Sequence, residues 1–265
     1  MKQPVNITRY PKLKRPVMIA AWPGVSNVAL EVARYLQERL RATEFASVDP
    51  MDFFTPLGIL VQNNLAQVPV FPESKFYFVK TPKGKRDIII FIGEAPPDQH
   101  QYDLAHAVLN VAQRFKVKRV YTAAAALVQY SVETSRVWTA ATNSRLIKEL
   151  KRYDVTFTGT FQIRGLNGLM LGAVKEKGMD GICLLGETPQ YAAELPNPMA
   201  SYAVLQVLTK MLGLDLDLSD IANEAKETAQ RLKALSQEAT AKYIDQFTTP
   251  IWEQNPGDDD EEDDY

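Results

Sequence analysis

Two apolar runs that end alike constrain this chain more than any other feature. Ile88-Ile89-Ile90-Phe91-Ile92 leads into Gly93-Glu94-Ala95-Pro96-Pro97, and Ile182-Cys183-Leu184-Leu185 leads into Gly186-Glu187-Thr188-Pro189. Consecutive apolar residues without polar alternation mark a strand buried on both faces, the habit of parallel strands covered by helices. Glycine and proline then stop such a strand. Each run thus delivers a glutamate to the rim of a sheet, where an open α/β fold keeps its ligand crevice. The repeat predicts Glu94 and Glu187 as neighbours on one rim.

The rest of the chain supplies the helices such strands need. Residues 1–15 read as an irregular arm, since Tyr10-Pro11 and Arg15-Pro16 disfavour helix. Val17-Met18-Ile19-Ala20-Ala21 is a first strand, followed by the tight loop Trp22-Pro23-Gly24-Val25-Ser26-Asn27. Val28, Val32, Tyr35, Leu36 and Leu40 then share one helical face. Strand, loop and helix make the first half of a parallel crossover unit. Between Glu44 and Lys80, Pro50, Pro56, Pro69 and Pro72 cut the chain into pieces that read as a small antiparallel insertion.

Leu104, Val108, Val111, Ala112 and Phe115 line the next helix. Residues 119–122 form a strand, and Ala123-Ala124-Ala125-Ala126 at its end lets either a packed helix or a ligand come close. Residues 131–141 read as extended. Thr142-Asn143-Ser144 offers caps for a short helix. Gly165-Leu166-Asn167-Gly168 opens a helix over 169–177, and Asn197-Pro198 starts another. Ile221, Ala225, Ala229, Leu232, Leu235, Ala239, Tyr243 and Phe247 recur at the spacing of a long amphipathic helix. The expected organisation is an α/β domain over 16–218, a C-terminal helical appendage over 219–248, and an acidic tail over 249–265, disordered by composition.

Composition excludes several classes. The 265 residues are 46% hydrophobic and 23% charged, enough to bury a large core. No apolar run approaches the roughly 18 residues of a membrane span. Residues 1–15 lack the apolar centre of a secretory signal. The single cysteine, Cys183, fits a reducing cytoplasm. Seven of the 32 acidic residues fall within 258–265, leaving 30 basic against 25 acidic residues elsewhere, a surplus of five. That surplus forms no basic stripe with interleaved aromatics, so neither nucleic acid nor membrane is expected as a partner.

Taken together and in order, several segments resemble the proteasome assembly chaperone 2 family. They are Ala20-Ala21-Trp22-Pro23-Gly24-Val25-Ser26-Asn27-Val28-Ala29, the segment 92–98, Gly165-Leu166-Asn167-Gly168-Leu169-Met170, Gly186-Glu187-Thr188-Pro189-Gln190-Tyr191 and Leu195-Pro196-Asn197-Pro198. The likeness is to the prokaryotic branch, whose members are mostly of unassigned function and sometimes carry an ATP-grasp superfamily label. It implies a phosphorylase/hydrolase-like α/β fold, with a mixed central sheet between helices. It also implies self-association into rings or trimers, and in eukaryotic and some archaeal members a chaperone role toward proteasome subunits. The first loop here has one glycine where members often have Gly-x-Gly-Asn.

The candidate site residues are Gly24, Ser26, Asn27, Glu94, His100, Glu187 and Tyr191. Gly24, Ser26 and Asn27 precede a helix, where backbone N–H groups hold anions; a plain cap from Ser26 or Asn27 is the alternative. Paired carboxylates at Glu94 and Glu187 would share a proton, hold a cation or bind a metal. Alternatively each caps a helix or pairs with an arginine such as Arg164. His100 stands beside Asp98, near Tyr102, whereas His106 reads as a surface residue. One cysteine and two histidines make no zinc pattern. A P-loop and a Gly-x-Ser-x-Gly elbow are both absent. No catalytic residue, metal or cofactor is expected. The leading expectation is a non-catalytic, homo-oligomeric assembly protein, with a trimer favoured. The alternative is a small-molecule or nucleotide-binding enzyme, such as a hydrolase, a phosphorylase or an ATP-dependent ligase.

Overall fold

In the computed structural model the described residues are 4–56, 58–82, 85–130 and 134–248, the last helix by its backbone alone from 235. In chain order the strands are β1 (Val5–Ile7), β2 (Val17–Ala21), β3 (Thr43–Val48), β4 (Val61–Gln62), β5 (Leu65–Ala66), β6 (Ser74–Val79), β7 (Ile88–Gly93), β8 (Val120–Val128), β9 (Val137–Ala141) and β10 (Gly181–Pro189). The helices are α1 (Val28–Arg39), α2 (Gln101–Arg114), α3 (Ser144–Leu150), α4 (Gly165–Glu176), α5 (Pro198–Leu212) and α6 (Ser219–Thr248).

Eight strands form one mixed sheet in the order β1-β3-β6-β7-β2-β8-β10-β9. The central four, β7, β2, β8 and β10, run parallel, and the flanking strands pair antiparallel. Helices α1, α3 and α5 bury one face, with Ile88, Ile90, Ile182 and Leu184 beneath them. Helices α2 and α4 bury the other, over Met18, Ile89, Phe91 and Val120. The helix-covered parallel centre is what the apolar runs call for, and the mixed sheet is what the family resemblance implies.

An aromatic row ties four strands together on the second face. Trp22 lies 4.8 Å from Phe91, Phe91 4.7 Å from Phe76, and Phe76 6.0 Å from Phe45, ring centre to ring centre. All four side chains are fully buried. Burial of each is worth roughly 2–3 kcal/mol, so this row is a main anchor of the sheet.

Several local expectations change on folding. Residues 1–15 contain strand β1, because Val5 and Ile7 can pair with the open edge of β3, with Val5 opposite Val48. The antiparallel insertion is mostly sheet: β3 and β6 join the main sheet beside β7, and only the β4–β5 hairpin stands apart. The extended reading of 131–141 resolves into β9 over its second half; residues 131–133 lie outside the described set. Gly165-Leu166-Asn167-Gly168 does not precede α4 but forms its first turn.

Side-chain caps fix the starts of α3 and α5. Asn143 Oδ1 accepts from Leu146 N at 3.1 Å, and Asn197 Oδ1 from Ala200 N at 3.2 Å, with Pro198 in the first turn of α5. Gly213, in the left-handed region at φ 66°, ends α5. The root of α6 is then held on α1: the Tyr35 hydroxyl donates to Asp217 O at 2.9 Å and to Asp220, and Arg39 pairs with Asp220. Ile221, Ala225 and Leu232 are buried apolar residues among the described side chains of α6. Ala225 and Leu232 pack with Met199 and Tyr202 of α5, while Ile221 joins the α1–α5 core. The acidic tail lies outside the described residues. Among the described residues no helix is long and apolar enough to cross a membrane.

Candidate functional site

The two glutamate-bearing tips lie on one rim, since β7 and β10 are both parallel to the strands between them. They are not neighbours: β2 and β8 separate them. Strand alternation also sends them to opposite faces. Glu94 continues the Ile90, Ile92 side toward Arg34, Gln37 and Glu38 of α1, in a shallow hollow of about 140 Å³. Glu187 continues the Cys183, Leu185 side, toward α4. The two carboxylates therefore share no cavity.

At the β7 tip the chain leaves the sheet after Gly93. Glu94 N donates to Glu73 O and Glu94 Oε2 accepts from Glu73 N, both at 2.8 Å. This reciprocal pair links the ends of β6 and β7, and the Glu94 side chain is exposed. Gly93 has no room for a side chain: a Cβ would stand 2.4 Å from the Trp22 ring.

At the β10 tip the strand does not stop. Glu187, Thr188 and Pro189 stay paired with Ala126, Leu127 and Val128, because β8 is long enough to supply them with partners. Glu187 N also donates to Arg136 O at 3.0 Å. Its carboxylate is 1% exposed. It accepts from Arg136 Nε at 3.0 and 3.2 Å, from Trp138 Nε1 at 2.7 Å and from the Tyr130 hydroxyl at 3.0 Å, and Arg136 Nη2 stands 2.8 Å away as an ion partner. The arginine partner is Arg136 rather than Arg164. Burial alone would raise the Glu187 pKa, but the hydrogen bonds from Arg136, Trp138 and Tyr130 outweigh it and hold the carboxyl below its ordinary value.

The first loop supplies no side-chain cap, and the N–H groups of Ser26 and Asn27 are both taken within the fold. Ser26 and Asn27 both take left-handed φ, 52° each. That turn carries Ser26 away from the helix start and buries it against the segment after β10. Ser26 N donates to Ala193 O at 3.0 Å, its hydroxyl donates to the Ala192 and Ala193 carbonyls at 3.3 and 3.0 Å, and its carbonyl accepts from Asn197 N at 3.2 Å. Asn27 precedes α1 without a side-chain capping bond. Asn167 holds the other end of the loop: its amide accepts from Trp22 N and donates to Trp22 O, both at 3.0 Å. The side chain thus imitates a neighbouring strand across 145 residues of sequence.

Between this loop and the end of β8 lies a crevice of about 360 Å³, lined by Gly24, Ala124, Ala126, Trp138, Phe161 and Arg164 among others. Gly24 is the one residue of the sequence-derived set on its wall. The four-alanine run was the signal for this space; Phe161 carried none, since it follows a stretch with no regular pattern, and Arg164 was named only as an ion partner for the glutamates. Glu187 reaches the crevice only indirectly, by fixing the indole of Trp138.

His100 is exposed, in the left-handed region at φ 60°, with Nδ1 2.9 Å from Asp103 Oδ2. His106 stacks edge-on with Tyr102 at 4.6 Å and lies 3.7 Å from Glu176. Tyr191 sits half exposed on a short 3-10 turn after β10. Cys183 is buried in β10, and burial pushes its thiol up to about 12 against a weaker pull from Thr122. Among the described residues no three His, Cys, Asp or Glu side chains cluster closely enough to hold a metal ion. The arrangement offers one sealed carboxylate, one exposed one and a largely apolar crevice.

Comparison with known proteins agrees with this architecture. The PAC2 family model matches residues 18–236. Uncharacterized protein MJ1210 of Methanocaldococcus jannaschii is 29% identical over 226 residues, 84% of either chain. PbaB of Pyrococcus furiosus, described as an archaeal proteasome activator, is 28% identical, with a TM-score of 0.73 over 88% of this chain and 98% of its own. PbaA of the same organism, described as an archaeal homolog of proteasome-assembly chaperone, is 27% identical, with a TM-score of 0.67 over 92% and 98%. On these grounds the chain belongs to the PAC2 family.

Proposed function

We propose that this chain is a chaperone-like assembly protein that acts by binding polypeptides, copies of itself included. The observation that carries this reading is the closure of the Glu187 site. A carboxylate poised for chemistry needs a free oxygen and a pKa near working pH. Glu187 instead has Arg136, Trp138 and Tyr130 on it and a depressed pKa, which is the behaviour of a structural anchor. Glu94 lies on the opposite face and cannot assist it. Likeness to PbaA and PbaB supports a proteasome particle or its subunits as the partner class. In this reading the chain works in the cytoplasm as a homo-oligomer, with three copies favoured, and α6 offers a face for partner contact.

Affinity capture of the full chain from its native extract, followed by native mass spectrometry, tests this. Assembly with itself and recovery of proteasome subunits is the expected result. A monomer that recovers neither overturns it, as does reproducible turnover of a phosphoester, nucleoside or peptide substrate by the pure protein.

The crevice beside Gly24 supports a second reading, that of a small-molecule binder. Its volume suits a modest ligand, and Arg164 and Gln190 provide polar contacts on an apolar wall. A thermal-shift screen with nucleotides and phosphorylated metabolites decides it: stabilisation lost on Arg164→Ala supports a ligand site, and no stabilisation by any compound removes it.

A further inference from the structure

Residues 53–72 contain no Lys, Arg, Asp, Glu or His, in a chain that is 23% Asp, Glu, Lys and Arg. At that density a stretch of this length would hold about four or five charges. Within it β4 and β5 form a hairpin, with Val61 opposite Ala66 and Gln62 opposite Leu65. Asn63 and Asn64, at φ 51° and 62°, make the two-residue turn whose twist matches paired strands. A further ladder bond, Gln67 N to Leu60 O at 2.8 Å, lengthens it. The hairpin is a formed element, not a slack connection.

Its aliphatic side chains face outward. Ile59, Leu60, Val61, Leu65, Val68 and Val70 are between 54% and 88% exposed. None of them belongs to the core clusters of the described residues. Val61 and Ala66 share one side of the ribbon, and alternation carries that side on through Ile59 and Val68. A lone two-stranded hairpin is marginal in water, and a contiguous run of exposed aliphatic side chains marks a contact surface.

The charge pattern decides what covers it. A partner recognised by charge would be met by opposite charge, and the stretch has none. A membrane surface is met by flanking Lys and Arg, whereas the nearest charge on either side of this stretch is acidic, Asp52 and Glu73, and Lys75 beyond is paired with Glu73. A second copy presents the identical surface, so any charge on it would face its own like across a symmetry axis; a neutral aliphatic side escapes that repulsion.

We propose that the β4–β5 hairpin is the self-association element of this chain, burying its Ile59, Val61, Ala66 and Val68 side against a second copy. This rests on the reading of the chain as a homo-oligomer and names the surface that makes it one. The test is the mass of the full-length protein by sedimentation velocity at micromolar concentration. Three forms are compared: wild type, Val61→Lys with Val68→Lys, and Gln62→Lys with Gln67→Lys. The last pair adds the same charge to the other side of the ribbon. The expected result is an assembled wild type, a Val61/Val68 variant whose dissociation constant rises about tenfold or more, and a Gln62/Gln67 variant that keeps the wild-type mass.

A thermal melt by circular dichroism confirms that the variants fold; Val61→Thr with Val68→Thr replaces the lysine pair if it does not. An assembled wild type with an unaffected Val61/Val68 variant overturns the hairpin inference and leaves the homo-oligomer reading standing. Equal dissociation of both variants also overturns it. A monomeric wild type overturns both readings, and its co-sedimentation with phosphatidylcholine–phosphatidylglycerol vesicles would assign the patch to a membrane instead.

Discussion

At the end of β7 a glycine makes way for the ring of Trp22; within β10 a glycine makes way for the backbone of α5. A Cβ at Gly93 would meet the indole at 2.4 Å, and one at Gly186 would meet Ala200 O at 2.6 Å. The glutamates that follow differ more. Glu94 is exposed and bonded to one backbone N–H, whereas Glu187 is buried under three side-chain donors. The same letters end one strand and continue the other. A repeated motif therefore encodes a packing constraint at each place, and its polar residue takes whatever role the neighbouring strands leave to it.

The glycines allow the hardest test of that contrast. Gly186→Ala forces the α5 backbone away from β10 and is expected to cost about 3 kcal/mol in a denaturant melt. Gly93→Ala is expected to cost a similar amount through a side chain, so adding Trp22→Phe should restore part of it. No trimming of a single side chain should restore Gly186→Ala, because its nearest obstacle is a carbonyl. Equal rescue in both cases would abolish the distinction.

Glu187→Ala strips the acceptor from Trp138 Nε1 and the Tyr130 hydroxyl and is expected to lose about 2 kcal/mol, with a shift in tryptophan emission. Acid sharpens the point. The folded Glu187 pKa is depressed below the ordinary 4.5, so its contribution is complete above that value and is lost as pH falls through the folded pKa. The difference in melting temperature between wild type and Glu187→Gln should therefore narrow below about pH 4.5. Glu94→Ala, at the exposed tip, is expected to change stability by about 0.5 kcal/mol or less. A larger loss there than at Glu187 would reverse the comparison.

The architecture was legible because its strongest signals are local. Ile88-Ile89-Ile90-Phe91-Ile92 has no polar side to give to solvent, so it had to be covered on both faces. Asn143 and Asn197 stand directly before helical runs and cap them as their type suggests. What was not legible depended on distant partners. Gly186 and Pro189 read as terminators, yet β8 keeps both in the sheet. Ser26 reads as a cap, yet its left-handed backbone turns it to carbonyls more than 160 residues away. The Asn167–Trp22 clamp joins the first turn of α4 to a loop with no complementary pattern. The separation of Glu94 from Glu187 follows from β2 and β8 lying between them, an order that no single strand records.

The position of Cys183 has a practical consequence. A thiol with its pKa near 12 is almost wholly protonated at neutral pH, and alkylating reagents attack the thiolate. Modification must then wait for the central strand to be uncovered. The rate of labelling becomes a native clock for opening of the sheet, readable by intact mass without any introduced probe. Since the sequence holds no other cysteine, a reporter thiol placed at the surface would be labelled long before the buried one.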